Sequence, residues 1–233
     1  MWTPLADDLW TLTSTGRTAP GVHLPLRTNA VRLPDGGLWL HAPIGLDEDD
    51  AVALEDQGPL AHLVAPNLFH HLFLCDAQNR WPDAWVWAPE GLARKQPTLR
   101  IDTALAPGRP EAGDEAIEVF PIAGAPLARE FAFLHRPSRT LLLTDLVFDA
   151  REGASPLARC VFRLVGGATG PRCSRSWRWL FVKDRPAFVA SVQALLDAPF
   201  DRVLLAHGPV LEGAAVRAHL GTIFADWPEV ASG

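Results

Sequence analysis

The sequence predicts an α/β fold in which layers of mixed sheet are covered by helices. Three observations carry this. Two short apolar runs, residues 29–33 and 38–40, flank the turn signal Pro34-Asp35-Gly36-Gly37 and give the first half a β-hairpin. A second β-rich stretch lies in mid-chain, over residues 117–144. Helical patterns are interleaved between these regions and after them, the arrangement of sheets with helical cover.

The elements follow in order. Residues 47–57 open with acids and place Ala51, Val52 and Leu54 at helical spacing, so they predict a helix. Residues 63–65 form a short apolar strand that stops at Pro66-Asn67, and a helix follows through Leu74 and Cys75. Residues 84–88 read as a strand and 89–95 as a short helix. The stretch 96–116 is rich in Pro, Gly and acids and reads as surface loop. Strands follow over 117–122, 131–134 and 140–144, whereas residues 150–183 carry no pattern that assigns them. Asp184 caps a helix over 186–196, with Pro186 favourably placed in its first turn. A buried strand over 203–206 and a closing helix over 213–227 complete the chain. With no internal repeat and no long linker, residues 1–233 are expected to form one domain.

Composition narrows the function. Apolar residues make up 48% of the chain, ample for a packed core. A formal charge of −6 and a pI near 5.7 argue against a nucleic-acid binder, which would carry a basic face. No apolar run approaches the roughly 20 residues that span a bilayer, so no stable membrane insertion is expected. The first residues lack the basic and apolar regions of a signal peptide. Cys75, Cys160 and Cys173 are odd in number and irregularly spaced, as reduced thiols are. These features predict a cytoplasmic location; they are compatible with a small-molecule substrate but say nothing of which one.

Three positions share one placement, immediately after an apolar strand. They are His70-His71, shortly after Leu63-Val64-Ala65; Asp145, after Leu141-Leu142-Leu143-Thr144; and His207, after Val203-Leu204-Leu205-Ala206. Side chains at strand ends converge on one sheet edge, where α/β folds place their sites. Histidines with a carboxylate bind Zn, Fe or Mn. Any one of these residues alone is more simply a polar cap where a strand meets solvent.

The order of the three resembles the metallo-β-lactamase superfamily, from about Asn29 to the C-terminus. The first motif of that superfamily, an Asp closing an early strand, falls near His41 in Leu40-His41-Ala42-Pro43, where the Asp is missing. The second, His-x-His-x-Asp-His, falls on Pro66-Asn67-Leu68-Phe69-His70-His71. Its two early histidines are Pro66 and Leu68, its Asp is His70, and its last His is kept as His71. The third, Pro-Gly-His-Thr, falls on Ala123-Gly124-Ala125-Pro126 and has lost its His. Asp145 matches the fourth motif and His207 the fifth. The Pro-Asn-x-x-His-His pattern is that of a divergent branch.

The resemblance implies an αββα sandwich of two mixed sheets flanked by helices. It also implies that the first metal position is gone, while the second maps to His70, His71, Asp145 and His207. One divalent metal is therefore expected, zinc first, with iron or manganese as alternatives. The implied activity is hydrolysis by a mononuclear site with Asp145 catalytic; Glu130 is a second catalytic candidate by its position in the chain. The alternatives are a non-catalytic metal or ligand binder that keeps only the fold and, third, a redox enzyme.

Other residues weigh less. Glu130 opens a strand after the degraded third motif and reads equally as ligand, base or surface carboxylate. His135 reads as a loop residue, His41 as a support behind the ligands, and His23, His62 and His219 as structural. Cys75 shares a helical face with His71 and reads as a small buried thiol. The basic, aromatic segment Arg172-Cys173-Ser174-Arg175-Ser176-Trp177-Arg178-Trp179-Leu180-Phe181 reads first as an amphipathic helix packing its tryptophans on the core. An anionic-substrate or membrane-surface contact is the alternative. Gly166-Gly167-Ala168-Thr169-Gly170 lacks the Lys-Ser/Thr of a phosphate-binding loop.

Overall fold

The computed structural model describes residues 1–19, 22–106, 116–149, 155–157, 170–224 and 227. Strands β1 (Thr3–Ala6), β2 (Leu9–Ala19), β3 (Val22–Arg32) and β4 (Leu38–His41) open the chain. Helix α1 (Glu48–Glu55), β5 (Leu60–Val64), α2 (Leu74–Arg80), β6 (Trp85–Pro89), α3 (Leu92–Lys95) and β7 (Thr103–Leu105) follow. Next come β8 (Ile117–Pro121), β9 (Phe131–His135) and β10 (Thr140–Leu143), then a π-helical turn at Trp177–Phe181. The described chain closes with α4 (Arg185–Asp197), β11 (Arg202–Leu205), β12 (Val210–Glu212) and α5 (Val216–Ile223).

These strands make two mixed sheets. The first runs β1 to β7 in sequence order, antiparallel from β1 to β4 and parallel from β4 to β7. The second has the order β12-β11-β10-β9-β8, with β10 and β11 parallel and the other pairs antiparallel.

Alternation along the strands sorts side chains into layers. Leu38 and Leu40, Leu63, and Val86 and Ala88 face Leu54, Leu74, Ala77 and Leu92 of α1–α3. Their neighbours Trp39, Val64 and Trp87 point the other way and meet Phe133, Leu142 and Leu204 of the second sheet. On the far side of that sheet, Leu141, Leu143, Val203 and Leu205 pack on Phe188, Val192 and Leu195 of α4 and Leu220 of α5. The order is helices, sheet, sheet, helices, the expected αββα sandwich.

Most expected elements stand within a residue or two of their predicted limits. The hairpin turn is built as its residues dictate: Gly36 takes φ +89°, and the Asp35 carboxylate accepts the Gly37 N–H at 2.8 Å. The N-cap of α4 is Asp184, whose side chain accepts from Ala187. Three differences matter. The first 28 residues, unassigned by pattern, supply β1, β2 and most of β3. The stretch expected as loop over 96–116 contains β7. Helix α5 is shorter than the predicted 213–227. Among the described residues, no helix is long and apolar enough to cross a membrane.

Candidate metal centre

The site begins at the end of β5, where the chain turns at Pro66-Asn67. Asn67 is fully buried, and its Oδ1 accepts the backbone N–H groups of Phe69 and His70, both at 2.8 Å. This side-chain-built turn replaces the missing ladder bonds and fixes the backbone that carries His70. The Asn67 Nδ2 group donates to Asp145 Oδ2 at 2.7 Å and to Glu130 Oε2 at 3.1 Å. One amide thus ties the His70 turn to two carboxyl groups of the other sheet.

Asp145 lies just past the end of β10. Its backbone N–H and that of Leu146 donate to the two oxygens of Glu130, at 3.2 and 2.8 Å, and its carbonyl accepts from Trp177 Nε1 at 2.7 Å. Glu130 itself is buried, and burial together with the Asp145 charge pushes its carboxyl up to about 8.

His207 lies just past the end of β11. Its Nδ1 is 2.7 Å from the Pro25 carbonyl, which can only accept, so Nδ1 carries the proton and Nε2 offers a lone pair. The buried Arg27 holds the backbone on either side, donating from Nε to the Leu205 carbonyl and from Nη2 to the Gly208 carbonyl, each at 3.0 Å.

These supports bring His70, Asp145 and His207 into one cluster whose donor atoms lie within 4.8 Å of one another. The two Nε2 atoms are 3.2 Å apart, and Asp145 Oδ1 is 3.4 Å from His70 Nε2 and 3.5 Å from His207 Nε2. Zinc bonds of 2.0–2.1 Å in a tetrahedron require donor-to-donor edges of about 3.3–3.4 Å. Octahedral bonds of 2.0–2.1 Å require about 2.9 Å. The observed triangle matches the tetrahedron. Electrostatics agree with a cation there. Burial opposes ionisation of Asp145, yet the charge and hydrogen bonds of His70 and His207 outweigh it and hold the carboxyl well below the usual range. Burial likewise opposes the charged form of His207, but Asp145 raises its pKa. Three lone-pair donors turned on one another need a proton or a metal ion between them.

The remaining expected residues are placed around this cluster. His71 lines the same cavity, but its donor atoms are outside the cluster, because the turn bond from its N–H to Phe69 O diverges it from His70. Glu130 is also outside the cluster, and its carboxylate accepts from Asn67 and from the backbone N–H groups of Asp145 and Leu146. His41 is buried beside Trp39 and Phe133, with Nδ1 3.3 Å from Asn29 Nδ2 and Nε2 without a hydrogen-bond partner among the described residues. Where the superfamily pattern calls for histidines of a first metal position, Leu68 and Ala125 pack into hydrophobic clusters.

Several readings need correction. His135 is the buried last residue of β9, bonded to Ser138, and no loop residue. Cys75 is exposed rather than buried, since α2 turns that face outward. The segment 172–181 is no continuous amphipathic helix: Trp177 is buried while Trp179 is 77% exposed. Ser174, Ser176, Trp177 and Phe181 line a smaller cavity beside Asp145 and His207, and Arg172, Arg175 and Arg178 do not. Trp87 donates to His62, a structural role, and His23 and His219 are exposed. Cys160 and residues 166–169 lie outside the described residues.

The sequence patterns give Asn67, Pro25 and Arg27 no site role and give Trp177 only a packing role, whereas its Nε1 also donates to the Asp145 carbonyl. The Pro66-Asn67 turn signal pointed to the first. A charged residue inside Leu24-Pro25-Leu26-Arg27-Thr28-Asn29-Ala30-Val31 pointed to Arg27.

Comparison with known proteins places the chain. The model of a domain of unknown function, DUF4336, matches residues 6–161, well over half of the sequence. The chain belongs to the DUF4336 family. The matched span holds His70, Glu130 and Asp145 and ends before His207. A search of curated proteins finds no match. Among solved structures, this DUF4336 protein is similar to a metallo-β-lactamase from Pontibacter korlensis, with 16% identity, a TM-score of 0.67 and coverage of 96% of this chain and 98% of that one. A metallo-β-lactamase from Erythrobacter litoralis gives 14% identity, a TM-score of 0.68 and coverage of 97% and 96%. The metallo-β-lactamase FIM-1 from Pseudomonas aeruginosa, in its mono-zinc form, gives 12%, 0.64, and 99% and 96%. At these identities the likeness establishes the metallo-β-lactamase fold, and the chemistry rests on the residues of this chain.

Proposed function

We propose that the protein is a metal-dependent hydrolase working with one divalent ion, zinc, held by His70, Asp145 and His207. The observation that carries this reading is the triangle of donor atoms with edges of 3.2, 3.4 and 3.5 Å, opening on a cavity of about 340 Å³. Three protein donors leave a coordination position for water or substrate, as catalytic zinc sites do and structural ones do not. Zinc bound there supplies Lewis acidity and brings the pKa of water into the neutral range.

The residues of the chain do the rest. Asp145 stays ionised and contributes the negative charge of the site. Pro25 holds the His207 ring in the tautomer that offers Nε2. Asn67 and Glu130 keep the Asp145 carboxylate and backbone from moving as charge develops. Leu24, Leu26, Ile44 and Phe73 wall the cavity and exclude water from the body of a bound small molecule. An ester, amide or phosphoester is the substrate class such a site takes.

The test is zinc content together with hydrolysis of nitrophenyl esters and phosphoesters, measured for wild type and four variants. His70→Ala, His207→Ala and Asp145→Asn are each expected to weaken zinc binding by roughly 100-fold or more and to abolish hydrolysis. His71→Ala is expected to keep zinc. Full zinc occupancy in His70→Ala, or hydrolysis indifferent to zinc removal, contradicts the reading.

A further inference from the structure

The cavity beside the His70–Asp145–His207 cluster has an unusual balance of charge. The chain as a whole carries more acids than bases, 27 Asp and Glu against 21 Lys and Arg. Yet Asp145 is the only acid among the described residues lining this cavity, and Arg27 and Lys95 both line it. Neither cation has a carboxylate partner among the described residues. Arg27 is 7% exposed, and among the described residues its side chain donates to neutral acceptors alone: the Leu205 and Gly208 carbonyls and the Thr11 hydroxyl, each at 3.0 Å. A guanidinium has five N–H donors, so two remain. Lys95 lies at the rim, with Nζ 2.6 Å from the Leu68 carbonyl and 4.8 Å from the centre of the Phe69 ring.

A buried cation without a counter-ion is costly unless something supplies the opposite charge. The single acid of the cavity does not, because it belongs to the donor triangle and its charge is spent on whatever cation sits there. Apart from the imidazoles of His70, His71 and His207, the other walls are apolar and include Leu24, Leu26, Ile44, Leu72 and Phe73. Apolar walls lower the local dielectric and strengthen the pull of both cations on an anion.

The geometry points to a substrate that is an amphipathic organic anion, with its apolar body against Leu24, Leu26, Ile44 and Phe73 and its carboxylate or phosphate met by Arg27 and Lys95. This deepens the hydrolase reading by naming its substrate class. Binding, though, is measured without turnover, so the two stand or fall separately. Arg27 has a second duty in bracing the backbone around His207, whereas Lys95 is exposed and its replacement leaves the fold alone.

The probes are octanoate, octyl phosphate and octanol, titrated calorimetrically into zinc-loaded and metal-free protein, with zinc content measured alongside. Both anions are expected to bind at least 10-fold more tightly than octanol. Lys95→Gln is expected to weaken the anions by about 10-fold while leaving octanol unchanged, and Arg27→Met, which also loosens the backbone around His207, is expected to weaken the anions at least as much. A loss shared by both anions marks general charge recognition, and a loss for one of them marks carboxylate or phosphate as the natural group. Octanol binding as tightly as octanoate, or anion affinity unmoved by Lys95→Gln, overturns the proposal even if zinc binds stoichiometrically. Retained anion preference in a protein that binds no zinc overturns the metal reading and leaves this one standing.

Discussion

Asn67 faces no solvent, yet four groups of the site depend on its single amide. Its oxygen holds the turn that carries His70, and its nitrogen sits between the carboxyl groups of Asp145 and Glu130. Asn67→Asp would keep the shape and the turn but replace that donor by an acceptor within 2.7 Å of Asp145 Oδ2. Three carboxyl groups, those at position 67 and Glu130 buried and that of Asp145 partly so, would then face one another. The expected outcome is a loss of about 3 kcal/mol in denaturant unfolding and at least 10-fold weaker zinc binding. Asn67→Ala leaves the turn uncapped without the repulsion and is expected to be the milder change. His41 gives the site a different signature. Burial, and secondarily the neighbouring His70, depress its pKa to about 3. A folded-state pKa below the unfolded one means stability that is present above pH 6.5 and lost as pH falls toward 3. Between pH 7 and pH 5 the contribution lost is on the order of 2 kcal/mol. His41→Asn is expected to flatten that dependence in chemical denaturation at the two pH values; an unchanged slope would mean that His41 is not the buried neutral group.

At the scale of elements, close approach is concentrated where the degraded third motif meets α4. Gly124 takes φ +73°, and a Cβ there would collide with the backbone carbonyl of Asp184, the N-cap of α4. Its own carbonyl accepts from Lys183 and Asp184 at 2.7 and 3.1 Å. Gly124→Ala should therefore cost roughly 3 kcal/mol in thermal or denaturant unfolding, without touching a donor atom of the site. The strands that carry the site were legible because they are buried on both faces and read as unbroken apolar runs, as Leu141-Leu142-Leu143 and Val203-Leu204-Leu205 do. The long β2–β3 pair was not. Thr13, Ser14 and Thr15 are exposed, so that part of β2 has no buried face to print an alternation. Pro25 further breaks the pattern of β3 while its carbonyl serves His207. The ligand positions were legible as strand ends. Their division of labour was not, because adjacent His70 and His71 part company only through a turn set by Asn67.

At the scale of the molecule, the cluster is a joint between sheets. His70 follows a strand of the first sheet, Asp145 and His207 follow strands of the second, and Pro25 and Arg27 reach across from β3 to brace the last. A metal ion held there would tie the two halves of the sandwich and stabilise the fold by mass action. The half-site pattern adds a number to this. Pro66, Leu68 and Ala125 stand where the resemblance would put the ligands of a first metal, and none of them is a ligand type, so one ion is the number the proposal predicts. Zinc stoichiometry is the most direct test, by elemental analysis of protein prepared without chelator or affinity nickel and by titration of the metal-free chain. About one zinc per chain is the predicted result. Two tightly bound ions, or none, would contradict the account.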